Sequence, residues 1–405
     1  MNNLQRRILV TITVLTFARL GIFIPLPGIE RGVFDATATN NSVLNFLNVF
    51  SGGGYSGIGL FALGIVPFIN SSIIMQFLIP VIPRLEKLQK EEGEFGRKRI
   101  SQLSKILTVI LAIGQSIFVA FSLRPYIFDW GYGFVLQTSL GLTAGSLILV
   151  WFSELITERG IGNGSSLLIL GNIVSALPKL SAAFTNLKSL AFVSNCFILL
   201  VIVVGVIFIQ EATRKIPIIS ARQIQSTGSQ SSTNYIPLRL NQAGVMPIIF
   251  ASSLSILPIS VLQLFPVNFE EISNNLIFSI GIKALYFILY FVLILFFSLF
   301  YTSLTFNPDD VAKNLRKMAS VVSGIKPGYE TKLFLQATSN RLTFLGAFFL
   351  AILIFLPSLI EFLFHLSTFQ GLGITSLLII VGIAIETSKQ VETYLIIDKY
   401  ENMLG

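Results

Sequence analysis

The chain holds one histidine, His365, and one cysteine, Cys196. A His- or Cys-based metal centre has too few ligands, and a Ser–His pair has a single imidazole to draw on, near the end of an apolar run. No pair of aspartates lies inside an apolar run either. Gly52-x-Gly54-x-x-Gly57 has the spacing of a dinucleotide-binding loop, yet no strand precedes it and no acidic residue follows about 20 positions on. Among the ionisable groups within apolar runs or at their ends are Arg19, Glu154, Lys283 and Glu361. Such groups are costly in hydrocarbon and usually functional, but the last three sit near run ends, where a long side chain reaches the interface. A proton- or ion-coupled carrier would place Asp, Glu or His near the midplane. The pattern predicts no enzyme, no cofactor and no metal. Uncharged polar residues remain: Asn70, Ser71, Ser72 and Gln76 after Pro67, and Gln115 and Ser116 further on. They either bond helix to helix or line a seam that an incoming segment can open.

The elements that carry these residues are set by composition. Hydrophobic residues make up 53% of the 405 and charged residues 12%, with a mean hydropathy of +0.78. Apolar runs of about 20 residues, enough to cross a bilayer core, recur at 8–26, 63–82, 103–123, 133–153, 164–181, 190–210, 241–264, 276–304, 342–364 and 371–390. The fold class is an all-α polytopic membrane protein with ten transmembrane helices. The start, with Arg6 and Arg7 leading into the first run and no small-residue cleavage site, reads as a retained span. Abundant Phe, Ile, Asn and Ser suit an AT-rich genome, such as that of a plastid or a reduced bacterium.

Basic residues concentrate before the first span and in the connections at 84–105, 211–239 and 305–341. That side is therefore cytoplasmic or its equivalent, and both termini lie there. Parity then constrains the stretch from Ala36 to Ile82, which has no charged residue. It must cross an odd number of times and is too short for three crossings. One crossing plus a re-entrant piece fits, and irregular backbone at membrane depth needs a protein-lined cavity. The glycine-rich run from Gly52 to Gly64 is that piece. Ten spans split into two sets of five, the connection falling near Ser181–Ser189; because five is odd, the halves have opposite orientation. The expected division is 1–181, a hinge at 182–189, and 190–405. "ERGIGNGSSLLI" (158–169) reads as a flexible glycine-rich start to the fifth span. The two long basic loops suit an acidic or RNA-rich partner, although topology alone accounts for their charge.

Eight stretches, in order along the chain, resemble the SecY family of protein-conducting channels: "ALGIVPFINSSIIMQFL" (62–78), "GRKRISQ" (96–102), "ERGIGNGSSLLI" (158–169), "LRLNQAGVMPIIFASSL" (238–254), "FNPDDVAKNLRK" (306–317), "GIKPGYET" (324–331), "RLTFLGA" (341–347) and "TSLLIIVGIAIE" (375–386). The short N-terminus and lean outer loops resemble the plastid-encoded algal form. The resemblance implies a channel passing unfolded preproteins across the membrane and releasing transmembrane segments through a lateral gate.

It also implies roles for residues. About Asn45 to Leu60 becomes a plug, with Phe50, Gly52, Gly53, Gly54, Gly57 and Gly59; weak helical propensity lets it leave its seat at low cost. A pore ring maps onto Ile65, Ile69, Ser165, Ile169, Met246 and Ile379, apolar except for Ser165, where an aliphatic residue is expected. The gate runs between spans 2 and 3 and spans 7 and 8, with Asn70 and Gln76 as its polar face. Arg214, Lys215 and Lys326 are the docking residues; Lys326 stands where the family usually has Arg, which keeps the charge but loses the bidentate geometry. Implied partners are a SecE-type subunit clamping the halves, a SecG-type subunit, the SecA motor, the ribosome, signal peptides and preproteins, and membrane lipid. The implied location is the plastid thylakoid membrane, or alternatively a bacterial inner membrane. The rival reading is a secondary transporter of inverted-repeat architecture.

Overall fold

The computed structural model describes residues 3–26, 59–91, 93–122, 124, 127, 130–185, 189–220, 234–254, 276–364 and 374–404. Phe50, Gly52, Gly53, Gly54 and Gly57 of the expected plug, the middle of the expected hinge, and His365 lie outside the described residues. The helices are α1 (Asn3–Gly21), α2 (Val66–Val81), α3 (Pro83–Glu91), α4 (Gly93–Ser122), α5 (Tyr132–Arg159), α6 (Gly164–Thr185), α7 (Ser189–Glu211), α8 (246–254), α9 (Leu276–Thr305), α10 (Pro308–Lys317), α11 (Tyr329–Phe364) and α12 (Ile374–Leu404). Three short strands, β1 (Thr213–Ser220), β2 (Tyr235–Arg239) and β3 (Ser320–Val322), join them.

Among the described residues each of the ten expected spans overlaps a helix, the seventh over 246–254, since 255–264 lie outside the described residues. Among the described residues, α4, α5, α9 and α11 contain stretches long and apolar enough to cross a bilayer by themselves, and the bent pair α2–α3 makes a fifth. The bend is 102°. Its cause is local: Ile82, just before Pro83, is extended (φ −99°, ψ 108°), as the proline ring requires of its predecessor. The basic connection after the second span is thus not a loop. It is α3 followed by the first turns of α4, which run well short of the apolar part of that helix.

Helix neighbours repeat. In the first group α1 packs on α5 and α6, α2 on α4, α4 on α5, and α5 on α6. In the second, α7 packs on α11 and α12, α9 on α11, and α11 on α12, while Phe250 of α8 meets Phe297 of α9 edge-on at 5.8 Å. First with fourth and fifth, second with third, third with fourth and fourth with fifth: the pattern is the same twice. Between groups the packed pairs are α6 with α12 and α1 with α12. Finer details repeat as well. A Cβ on Gly145 of α5 would come within 2.0 Å of the Leu60 carbonyl oxygen, and one on Gly346 of α11 within 2.5 Å of the Leu240 carbonyl oxygen. Leu60 and Leu240 each precede their half's second helix by a few residues. Third and fourth helices share a hydroxyl pair in both groups, Ser116–Thr143 at 3.3 Å and Thr302–Thr343 at 3.4 Å.

The chain leaves α1 and returns to the same place before α2. Pro25 and Gly59 form an antiparallel bridge, Leu60 N–H donates to the Ile24 carbonyl at 2.8 Å, and a Cβ on Gly59 would lie 2.1 Å from the Ile22 oxygen. The described residues on either side of 27–58 are therefore held together at one place, beside the end of α1.

Gly145→Ala and Gly346→Ala should each cost roughly 1–3 kcal/mol, because the obstructing atom is backbone and cannot swing aside. Thermal unfolding in detergent checks this, and Gly114→Ala, which meets nothing within 4 Å, should leave the midpoint unchanged.

Candidate functional site

Four of the six expected ring residues are deeply buried: Ile65 (2% exposed), Ile69 (5%), Ile169 (1%) and Ile379 (0%). All four belong to one apolar core drawn from both helix groups, and the half-buried Met246 packs against it. Ile65 and Ile69 are one turn apart at the start of α2, where Ile69 N–H donates to the Ile65 carbonyl at 3.1 Å. Ser165 behaves differently. Its hydroxyl donates to Asn163 Oδ1 at 2.8 Å and its N–H to the same oxygen at 3.1 Å, so it belongs to the cap of α6. Ile169 lies one turn deeper.

The polar residues of α2 and α4 divide. Ser71 donates to the Ser104 carbonyl and Ser116 pairs with Thr143, so these two bond helix to helix within the first group. Gln76 is half-buried, and its Oε1 has no hydrogen-bond partner among the described residues. Asn70 is also half-buried on α2. Next to Gln76, Phe77 makes the contact that reaches the second group. Its ring stacks on Phe300 at 4.2 Å (20° between planes) and lies 6.1 Å from Phe296 (11°). Phe297 meets Phe77 edge-on at 6.1 Å and also touches Phe250 of α8. Such pairs contribute about 0.5–1.5 kcal/mol each beyond area burial. Nothing in the sequence marked these rings, because a phenylalanine in an apolar run has the same signature whether it faces lipid or a partner helix.

The two long basic loops form one folded unit. β1 is central in the order β2–β1–β3 and pairs antiparallel with both neighbours, Ile216 opposite Ile236 and Ile218 opposite Val322. Strand alternation turns Ile216 inward and leaves Lys215 and Ile219 outside. Ile216, Leu238, Leu315, Val322 and Leu335 make a small core under the sheet. α10 starts on an Asn307 cap, whose Oδ1 accepts from Asp309 N–H at 3.2 Å, and Pro308 suits the first position. Arg214, Lys215 and Lys326 are all exposed on this unit. Lys215 Nζ stands 4.9 Å over the Tyr235 ring, and Lys326 lies in a turn between Gly324 and Gly328, both at positive φ. Asp309 pairs with Lys313 at 2.7 Å and Lys332 at 3.2 Å. Hydrogen bonds from Lys313 and then Lys332 hold its carboxyl below the usual carboxylate range, and Asp309 in turn raises Lys313.

The glycine-rich start of the fifth span is pinned at several points. Arg7 on α1 donates to the Gly160 carbonyl at 3.2 Å and to Tyr394 of α12 at 3.4 Å, with its guanidinium 4.8 Å over the Tyr394 ring. Thr11 Oγ1 accepts from Ile161 N–H at 3.0 Å and Thr157 Oγ1 from Gly164 N–H at 3.0 Å. Beside this clasp a cleft of about 570 Å³ opens between the α5–α6 turn and α12, lined by Thr157, Asn163, Glu386, Gln390, Thr393 and Tyr394. Glu154, expected to reach the interface alone, pairs with Lys105 of α4 at 2.6 Å.

The SecY family model matches residues 59–388. A protein translocase subunit SecY of Guillardia theta is 52% identical, over 99% of this chain and 97% of its own. Subunits of the same name from Porphyra purpurea (50%; 99% and 98%) and from Synechocystis (49%; 99% and 94%) match over similar lengths. Among solved structures, a protein-conducting channel superposes with a TM-score of 0.68 at 15% identity, covering 98% of this chain and 93% of its own. Sec61 in a canine ribosome–channel complex gives 0.62 at 15%, with the same coverage.

Asp309→Asn should speed amide hydrogen exchange across 308–317 about two- to fivefold near neutral pH. A carboxyl with a lowered pKa contributes fully above its unfolded value and loses that contribution as pH falls through the lowered folded one. The two proteins should therefore converge only in acid below the ordinary carboxylate range, as followed by mass spectrometry.

Proposed function

The chain belongs to the SecY family, and from that membership we propose how its residues divide the work of a protein-conducting channel. It is the central channel subunit of a protein translocase, passing unfolded preproteins across a membrane and releasing transmembrane segments sideways. The observation that carries the residue-level reading is the burial of Ile65, Ile69, Ile169 and Ile379, with Met246 against them, in one core shared by both helix groups. An apolar waist resists ions by dewetting and yields around a passing chain. Ser165 sits at the margin of this waist rather than in it.

The working halves are 1–181 and 190–405, joined by a hinge at 182–189; the repeated helix pairs support that division. The glycine-rich stretch before Leu60 is the plug, tethered at Gly59 to the end of α1. The lateral gate lies between α2 and α4 on one side and α8 and α9 on the other, with Asn70 and Gln76 on its polar face. Arg214, Lys215 and Lys326 present positive charge on a folded platform suited to a SecA-type motor or a ribosome. The protein itself is not an enzyme: a partner's ATP hydrolysis or translation supplies the work. A SecE-type subunit restrains the halves, and a SecG-type subunit completes the assembly. The membrane is the plastid thylakoid, a reading supported by the algal and cyanobacterial relatives, with both termini on the basic, stromal side.

In a protein with Cys196 replaced, single cysteines at Ile69 and at Met246 should crosslink to a stalled secretory chain in membranes holding the SecE-type subunit and the motor. Adducts should disappear when the signal sequence is disabled. Their absence from a folded, partner-bound sample would remove these residues from the translocation path.

A further inference from the structure

We propose that the cleft beside the Arg7 clasp holds a lysine or arginine side chain of the polypeptide in transit, with Glu386 as its counter-charge. The inference rests on the reading of the chain as a protein-conducting channel with its waist at Ile65, Ile69, Ile169 and Ile379.

The cleft is preformed and lies on the approach to that waist. Its walls come from different helix groups, the α5–α6 turn and α12. Arg7 bridges the two by donating to the Gly160 carbonyl and to the Tyr394 hydroxyl. A Cβ on Gly162 would lie 3.6 Å from Thr387 Oγ1, so the turn comes close to α12 one residue from Glu386. Glu386 stands seven residues beyond Ile379 on the same helix, a rise of about 10 Å. Asn163, on the opposite wall, stands just before the helix that carries Ile169. Lys389 of α12 pairs with Glu211 at 2.7 Å, beside the start of β1. The cleft therefore opens at the end of the bundle that carries the sheet, between the basic platform and the apolar core.

Its chemistry is that of a seat for one cation. Glu386 is the one charged side chain among the described residues that line it, and it is exposed. Among the described residues nothing forms an ion pair or a hydrogen bond with it; Arg239, at the end of β2, attracts it without contact. The neighbouring charges are already spent, Lys389 on Glu211, Lys105 on Glu154, and Arg7 on Gly160 and Tyr394. Thr157, Asn163, Gln390 and Thr393 add uncharged oxygens to the lining, which can accept from an ammonium or a guanidinium. Around this mouth Arg214, Lys215 and Lys326 are exposed on the sheet unit, so the lone carboxylate attracts the kind of residue that its surroundings repel. A positive side chain loses hydration on entering an apolar waist. A carboxylate just ahead of the waist therefore lengthens the stay of that side chain on the near side, whereas an uncharged stretch passes unheld.

The test uses the full channel in membranes with its SecE-type subunit and motor. Two preproteins differ only in one block of the mature region, written with lysines and arginines or with glutamines. The basic block should delay transit through the unaltered channel. Glu386→Gln should shorten that delay roughly two- to fivefold, the range of a half-exposed ion pair, and leave the glutamine preprotein at its usual rate. Glu158→Gln is the control, because Glu158 lies by the same turn but outside the lining, and the delay should persist. Stalled chains with a cysteine beside the block are crosslinked, with Cys196 replaced, to single cysteines at Thr393, Ile69 and Met246. More adduct at Thr393 from the basic block, together with a shortened delay, supports the cleft. An equal change in rate for both preproteins assigns Glu386 to opening or to the motor and overturns the proposal. An absent or unchanged delay, or a Thr393 adduct indifferent to charge, overturns it too; adducts at Ile69 and Met246 then leave the pore standing. No adduct at any of the three positions removes the pore reading itself, and the cleft with it.

Discussion

Helices in lipid have no hydrophobic reason to remain beside one another, since the tails around them are as apolar as their own side chains. Every stable pair must therefore be held by close backbone approach or by a polar link. Here such devices concentrate inside two groups. Gly145 lets α5 close on the Leu60 carbonyl, and Gly346 lets α11 close on that of Leu240. Hydroxyl pairs tie third to fourth helices in both groups, and Lys105–Glu154 adds an ion pair to the first. Between the groups, the rings of Phe77 and Phe300 join α2 to α9, and the Arg7–Tyr394 contact joins α1 to α12.

The apolar core shared by the two groups begins close to a fixed point of the chain. Ile65 and Ile69 are buried in the common core, yet they open α2 directly after a run of turns rather than in mid-helix. Just before that run the chain is tied back to α1 by the Pro25–Gly59 bridge.

Much of this was legible in the residues. Apolar run length marked where the long helices lie, because hydrocarbon thickness acts on local composition. Parity and length together asked for a single crossing between Ala36 and Ile82, and α2 is the described helix there. Other features depend on which residues meet, and local composition is silent about that. Arg7 and Tyr394 are 387 positions apart. β1 and β3 pair across about a hundred residues, so two loops that looked like separate basic connections are one sheet with its own core. The basic stretch at 84–105 read as a loop from its charge, but charged residues also make good exposed helices, and α3 and α4 begin there. Ser165, placed by resemblance on a pore ring, has its hydroxyl on Asn163 at the first turn of α6, a contact that a map of positions does not reveal.

α11 runs from Tyr329 to Phe364, and the part before Pro357 alone rises about 40 Å, more than the hydrocarbon thickness. Its first turns carry Leu335 of the small core beneath the sheet, and its later turns carry Leu350 and Ile354 of the membrane core. One rod is thus built into both the platform outside and the packing inside. The sheet and the buried helices are therefore coupled through one continuous helix, and neither shifts without moving α11.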